Sequence, residues 1–266
     1  LTSAIYAIRK RLDMLLVSDD LGGKTIFHMN LPWADKHQVI RGAEIVEGFR
    51  RELEYIDFAH RMESVTNVLK HDDAFTVVTS SGEHIDARSV IYATGSSMQL
   101  LGVPGECDYL GKGVSYSAIS YAPLFLGKRT VVIGEGSLAL RATAELAQSA
   151  ESVHLIVPDD ARLDSPTARA VLADPRVTVL LGATVLAIDG GEFVERGIVE
   201  DASGQRQTIP ASGVFVEIKL VPNTDPIRSL ARLDESGRVV IDQANRTSCP
   251  GLFAAGDVTN VPAEQV

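Results

Sequence analysis

The seven residues Gly251-Leu252-Phe253-Ala254-Ala255-Gly256-Asp257 carry the most chemical information in this chain. A short apolar run feeds a glycine and then an acid. The glycine lets a ligand approach the backbone closely. The Asp257 carboxylate can accept from a hydroxyl or order water at a phosphate. Pro262 and Gln265 then read as the opening of a helix, whose first turn presents N–H groups to an electron-rich ligand edge.

Two more segments have the same design. Ser89 to Gly95 is an apolar strand that ends in the small-residue turn Ala93-Thr94-Gly95. Val131 to Ala139 is a strand, a glycine turn and the start of an Ala-rich helix, in which Gly134, Gly136 and Ala139 fit G-x-G-x-x-A. With Ser137 in that turn, the backbone amides can cradle a pyrophosphate. Asp159 stands about 25 residues beyond Gly134, a distance that suits an acid accepting from ribose hydroxyls. Asp160 follows it, and two acids there repel an extra phosphate.

The elements that must position these turns follow from the pattern. A helix over the first ten residues precedes a strand at Met14–Val17, a loop through Trp33 and a helix around Arg41 to Glu54. A β-rich stretch turns at Ser80-Ser81-Gly82 and closes with the Ile91 strand. Pro104-Gly105 reads as a connector. From Thr130 the pattern repeats: strand, glycine turn, helix, strand Val153–Val157, a helix around Thr167 to Leu172, then strands with a hairpin turn at Ser203-Gly204.

Composition limits the function classes. The 266 residues are 45% hydrophobic and 23% charged, enough for one large or two medium globular domains. No apolar run reaches the roughly 18 residues of a membrane helix. With no charged-then-apolar leader, a cytoplasmic protein is expected. A net charge of −10 argues against nucleic-acid and anionic-membrane partners. The two cysteines, Cys107 and Cys249, lie far apart and carry neither metal-ligand nor disulfide spacing, so no metal is expected.

The three strand–turn segments, in this order, resemble the pyridine-nucleotide:disulfide oxidoreductases, and in detail their thioredoxin-reductase-like branch. Gly22-Gly23-Lys24, Asn30-Leu31-Pro32, Gly113-Val114-Ser115-Tyr116 and Val221-Pro222-Asn223-Thr224 extend the match over nearly the whole chain. The resemblance implies an α/β fold of two Rossmann-like nucleotide-binding domains, the second inserted into the first. It divides the chain into an FAD-binding domain made of two separate segments, 1–107 and 223–266, and an NAD(P)-binding-like domain, 108–222, between them. It also implies a homodimer. For FAD it points to Gly22, Gly23, Lys24, Asn30, Val65, Ala93, Thr94, Gly95, Gly256, Asp257 and Gln265. Among these, Lys24 stands where most relatives have Gln, beside the flavin's N1–C2=O edge, and Val65 would meet the adenine through its backbone. For the second nucleotide it points to Gly134, Gly136, Ser137, Ala139 and Asp159. The family's first strand and G-x-G-x-x-G turn do not precede the opening helix, and Val266 falls at the start of the family's last helix. Both ends therefore read as trimmed.

This chain departs from the family in several places. Where thioredoxin reductases carry C-x-x-C-D, it reads Ser117-Ala118-Ile119-Ser120-Tyr121. A serine hydroxyl cannot cycle between thiolate and disulfide. The His-Arg-Arg of NADP-dependent members is Val157-Pro158-Asp159, which points to NADH over NADPH. The glycine helix carries Arg141 in place of Glu, and the Ala-Ile-Gly stretch along the nicotinamide is Glu217-Ile218-Lys219, where the Lys219 side chain can fill the cleft. Two functions fit. One is an FAD enzyme passing electrons from NADH, or another donor, to a small-molecule or protein acceptor that is not a disulfide. The other is a non-catalytic flavin-binding scaffold with a degraded nicotinamide site.

Overall fold

The computed structural model describes residues 1–34, 47–48, 51, 59–158 and 163–261. Most of the helix expected around Arg41 to Glu54, the acids Asp159 and Asp160, and Gln265 lie outside the described residues. The chain forms two compact units: Leu1–Phe27, Arg41–Ser97 and Leu220–Val266 make one, His28–Ile40 and Met98–Lys219 the other.

In the first unit, helix Thr2–Arg9 buries Ala4 and Ile5 and begins at Leu1 without a side-chain cap. The strand that follows covers only Leu16–Val17, because its parallel partner His60–Arg61 offers two residues of register. Met14 and Leu15 are therefore not in a ladder. Val65–His71, Ala74–Thr79 and His84–Ala87 form an antiparallel meander, with the second turn at Ser80-Ser81-Gly82 as expected. Val90–Tyr92 and Leu252–Ala254, far apart in sequence, pair in parallel with Leu252 opposite Val90 and Ala254 opposite Tyr92. Val68, Phe75, Tyr92, Ile227, Val239, Leu252 and Val258 pack as one core beneath them.

The second unit is built on a five-stranded parallel sheet. Its order is Val177–Leu181, Ser152–Val157, Arg129–Gly134, Gly213–Glu217, Val114–Ser115. Helix Gly136–Ala147 connects the strands Arg129–Gly134 and Ser152–Val157, and helix Pro166–Ala173 the next pair. The strands are continuous apolar runs, as sheets covered on both faces require: Val131, Val132, Val153, Leu155, Val214 and Phe215 are all fully buried. Ser165 caps the second helix, its hydroxyl accepting from the Ala168 N–H at 3.1 Å. A separate antiparallel sheet, Thr184–Gly190, Val194–Glu200 and Arg206–Pro210, includes the hairpin at Ser203-Gly204.

The fold is thus α/β, with two Rossmann-like units, the second inserted into the first. Residues 28–40 and 98–107 group with the second unit rather than with the rest of 1–107, and for the latter stretch Glu106 is the anchor. Only 1% exposed, it accepts from the Leu101 and Gly102 N–H groups at 2.9 and 2.8 Å and from the Tyr116 hydroxyl at 3.0 Å. Residues 220–222 group with the first unit, next to Asn223, which bonds to the Thr94–Gly95 turn.

Candidate functional site

Two candidate sites exist, one in each unit, and both lie at the carboxyl ends of parallel strands, where α/β folds bind ligands.

In the first unit, Ala93-Thr94-Gly95 leaves strand Val90–Tyr92, and Ala255-Gly256-Asp257 leaves its partner Leu252–Ala254. Ala93, Thr94 and Gly256 are exposed. A Cβ placed on Gly95 or Gly256 would meet nothing within 4 Å, so the backbone of both turns faces open space. Asn223 holds the first turn from several directions. Its N–H donates to the Gly95 carbonyl at 3.1 Å and its amide nitrogen to the Thr94 carbonyl at 2.9 Å. Its own carbonyl accepts the Tyr92 and Thr94 hydroxyls at 2.7 and 2.8 Å. Asn223 stands in a family-like tetrapeptide, yet the sequence offered no hint of this role.

Lys24 and Asp257 meet in the same unit. The ammonium donates to Asp257 Oδ2 at 2.7 Å and to the Ser96 hydroxyl at 3.0 Å, and the two charged side chains are 20% and 10% exposed. Lys24 therefore has a protein carboxylate as its partner, in addition to any flavin edge expected of it. Gly22 and Gly23 turn their N–H groups onto Asp20 Oδ1, at 2.9 and 2.6 Å. Val65 pairs with Thr79 and packs against the core. Asn30 belongs to the second unit, where its N–H donates to the Gly111 carbonyl at 2.7 Å.

In the second unit, Gly134 ends its strand at φ +154°. A Cβ there would lie 2.0 Å from the Glu217 carbonyl oxygen, so only glycine permits the two strands to close. Gly136 opens the helix at φ +66° with open space beside it, and Glu135, Gly136 and Ser137 are exposed. Ala139 is 1% exposed and brings helix and sheet together. Glycine for the turn, open backbone at the helix start and a small third residue are what a pyrophosphate cradle requires.

Helix Ala118–Tyr121 follows Ser117, one of the two serines that the resemblance sets against the family dithiol. Ser117 donates to the Ser120 hydroxyl at 2.9 Å, and the Ser117 N–H donates to the Ser115 hydroxyl at 3.1 Å. Tyr121 is buried, and burial pushes its phenol upward. The Ala118 N–H donates to Glu217 Oε1 at 2.7 Å, and Glu217 is 4% exposed. Burial pushes the Glu217 carboxyl up to about 7, with the Ala118 N–H and the Arg141 charge pulling it back down. Two substitutions read separately in the sequence, Arg141 and Glu217, are thus electrostatically coupled. Lys219 is exposed, and its carbonyl accepts from the Gln99 N–H at 3.0 Å. Among the described residues, no group of three His, Cys, Asp or Glu is placed to hold a metal ion. Nor is any helix among them long and apolar enough to cross a membrane.

The family model described as pyridine nucleotide-disulphide oxidoreductase matches residues 1–266. The chain belongs to that family. The alkyl hydroperoxide reductase F protein of Pseudomonas putida is 32% identical over 276 residues, covering 99% of this chain and 52% of that protein. An NADH dehydrogenase of Bacillus subtilis is 29% identical over 268 residues, covering 100% of this chain and 52% of that protein. The chain therefore spans about half the length of these curated relatives. Among solved structures, thioredoxin reductase from Streptococcus pyogenes MGAS5005 superposes with a TM-score of 0.86 at 28% identity, covering 99% of this chain and 87% of that one.

The residues present fit the family's two nucleotides at the turns just described. For FAD, the open glycines Gly95 and Gly256 leave room for close approach, and Asn223 fixes the first turn. For a pyridine nucleotide, Gly134, Gly136 and Ser137 would hold the pyrophosphate, with open backbone at Gly136 and Ser137 exposed.

Proposed function

We propose that this chain is the catalytic core of an FAD-dependent oxidoreductase that takes electrons from NADH and passes them to an acceptor that is not a disulfide. The observation that carries this reading is the pair of hydroxyls, Ser117 to Ser120 at 2.9 Å, where a dithiol relay needs two sulfurs. The open backbone at Gly95 and Gly256 in the first unit and at Gly136 in the second supports nucleotide binding there. FAD, when bound, supplies the carrier that accepts two electrons from the donor and releases them to the acceptor.

The chain's own residues bind and orient. Gly134, Gly136 and Ser137 hold a pyrophosphate through backbone amides, and Ala139 keeps the helix start against the sheet. Asn223 keeps Thr94-Gly95 in one conformation. The Lys24–Asp257 pair places a neutralised dipole in the first unit near the exposed turns, with no net charge added there. Ser117 and Ser120 neither store nor relay electrons, so transfer to the acceptor proceeds without a protein disulfide. Asp159 and Asp160 favour NADH over NADPH. Composition and resemblance support a cytoplasmic homodimer whose acceptor is a small molecule or a redox protein, with no nucleic-acid or membrane partner.

The second reading, a flavin-binding scaffold, is favoured by one observation: a buried acid, Glu217, adjoins the pyrophosphate turn. Steady-state turnover separates the two. The FAD-loaded full-length protein should consume NADH with an artificial oxidant such as ferricyanide and leave thioredoxin disulfide unreduced. NADH consumption no faster than in a protein-free control supports the scaffold.

A further inference from the structure

The strand order of the second unit's parallel sheet reverses between strands Arg129–Gly134 and Gly213–Glu217, the point at which open α/β sheets form their ligand crevice. Glu217 is the last residue of one strand and pairs with Gly134, the last residue of the other. Their backbones are in contact, since a single added Cβ on Gly134 would run into the Glu217 backbone carbonyl, while the Glu217 carboxyl reaches the Ala118 N–H and feels the charge of Arg141 on the helix that Gly136 opens. An acid at 4% exposure in that place needs an explanation.

Among the described residues, two groups act on its charge. Helix Ala118–Tyr121 supplies the Ala118 N–H at 2.7 Å, and helix Gly136–Ala147 supplies the charge of Arg141. The ends of the two flanking strands, Ile133-Gly134 and Val114-Ser115, contribute no ionisable side chain. Tyr116, just beyond the second of these, gives its hydroxyl to Glu106.

We propose that the Glu217 carboxyl gates the dinucleotide at this switch point: as a neutral acid it admits the doubly negative pyrophosphate at Gly134–Gly136, and as a carboxylate it weakens binding. The inference rests on the reading of this unit as an NADH site. Like charges repel, more strongly the less water lies between them, and the Glu217 side of such a pair is buried. With the carboxyl pushed up to about 7 by burial, the two forms exchange across the neutral range. A bound anion favours the protonated form. Affinity is therefore highest below about pH 7 and falls above it, with a one-proton limit of about tenfold per pH unit.

The test is NADH affinity of the FAD-loaded full-length protein with its flavin already reduced by dithionite, measured anaerobically from pH 6 to 9 by quenching of protein fluorescence. Dissociation constants for the unaltered protein should rise about tenfold from pH 6.5 to 8.5, a fraction of the one-proton limit. Glu217→Gln keeps an acceptor for the Ala118 N–H but cannot ionise, so its affinity should stay flat and near the low-pH value. Arg141→Gln removes a charge that favours the carboxylate and should move the midpoint to higher pH. A flat profile in the unaltered protein, or an unchanged slope in Glu217→Gln, overturns the inference and leaves the NADH reading standing. If Glu217→Gln does not fold, an unmoved Arg141→Gln midpoint overturns it instead. Absence of NADH binding at every pH overturns both.

Discussion

The Asp257 carboxylate lies 2.7 Å from the Lys24 ammonium, across 233 residues of sequence. Both side chains are largely buried, and Ser96 adds a third polar group at 3.0 Å. The pair ties the loop after the first short strand to the turn that follows Leu252–Ala254. One side of the first unit's candidate site is thereby fixed through charge.

Asp257→Ala leaves the Lys24 ammonium with the Ser96 hydroxyl and without its counter-charge. Breaking a part-buried pair from one side should cost about 1–3 kcal/mol, less than for a fully buried pair. The Lys24→Met/Asp257→Leu double variant should lose less than the sum of its two single changes. Urea unfolding of the four proteins measures the coupling, and additive losses would show that the pair is not an energetic unit. Flavin retention through gel filtration should fall in Asp257→Ala.

Ser117→Cys with Ser120→Cys places two sulfurs where the hydroxyls already face each other at 2.9 Å. Contraction to the roughly 2.05 Å of a disulfide is a small movement, so the double variant should oxidise readily. Thioredoxin reduction should still not appear, because the residue after Ser120 is Tyr121, where the proposed reading by resemblance needs an acid. Thiol titration with and without a reductant checks the first expectation. A thioredoxin-coupled assay checks the second, and turnover there would refute it.

Stability should depend on pH through Glu217. Its carboxyl is raised in the folded chain to about 7 from a reference near 4.5, so between these values the folded state binds more protons than the unfolded one. Stability then falls as pH rises from about 4.5 to 7 and is flat above. The full effect is about 3 kcal/mol. Glu217→Gln should melt higher than the unaltered protein at pH 8 and near it at pH 5. Equal differences at both pH values would contradict a raised Glu217.

Cofactor preference is expected from the acids after strand Ser152–Val157. Each like-charge contact with a 2′-phosphate near 4 Å costs on the order of 1 kcal/mol in water. Two such contacts give at least about tenfold, since roughly 1.4 kcal/mol is a factor of ten. NADH should therefore exceed NADPH by that margin in kcat/KM. Asp159→Ala with Asp160→Ala should narrow the ratio, and a preference for NADPH in the unaltered protein would reverse the assignment.

The turns at Gly95, Gly134 and Gly256 were legible in the sequence, because an apolar run that ends in glycine has few other uses. The repeated strand–turn–helix pattern shows two α/β units, whereas the insertion of one into the other came only from the resemblance to the family. Contacts set by long-range pairing were not legible. Glu217 meets Ala118 from 99 residues away, and a lone acid closing an apolar strand gives no sign of which amide it will cap. Asn223 and Thr94 are 129 residues apart, and Asn223 could equally have belonged to a solvent turn. Gly22-Gly23 looked like an open backbone, whereas Asp20 occupies both amides through local geometry. The strand before it came out shorter than its apolar residues suggest, because strand length is set by the partner strand.

The most direct test of the central claim is anaerobic addition of NADH to the FAD-loaded full-length protein, with absorbance followed near 450 nm, where oxidised flavin absorbs. The account predicts that one equivalent of NADH per flavin bleaches the band, and that adding oxidised thioredoxin does not restore it. A band that NADH leaves unchanged while dithionite bleaches it would contradict the NADH-oxidising reading. Recovery of the colour on adding thioredoxin disulfide would contradict the claim that the acceptor is not a disulfide.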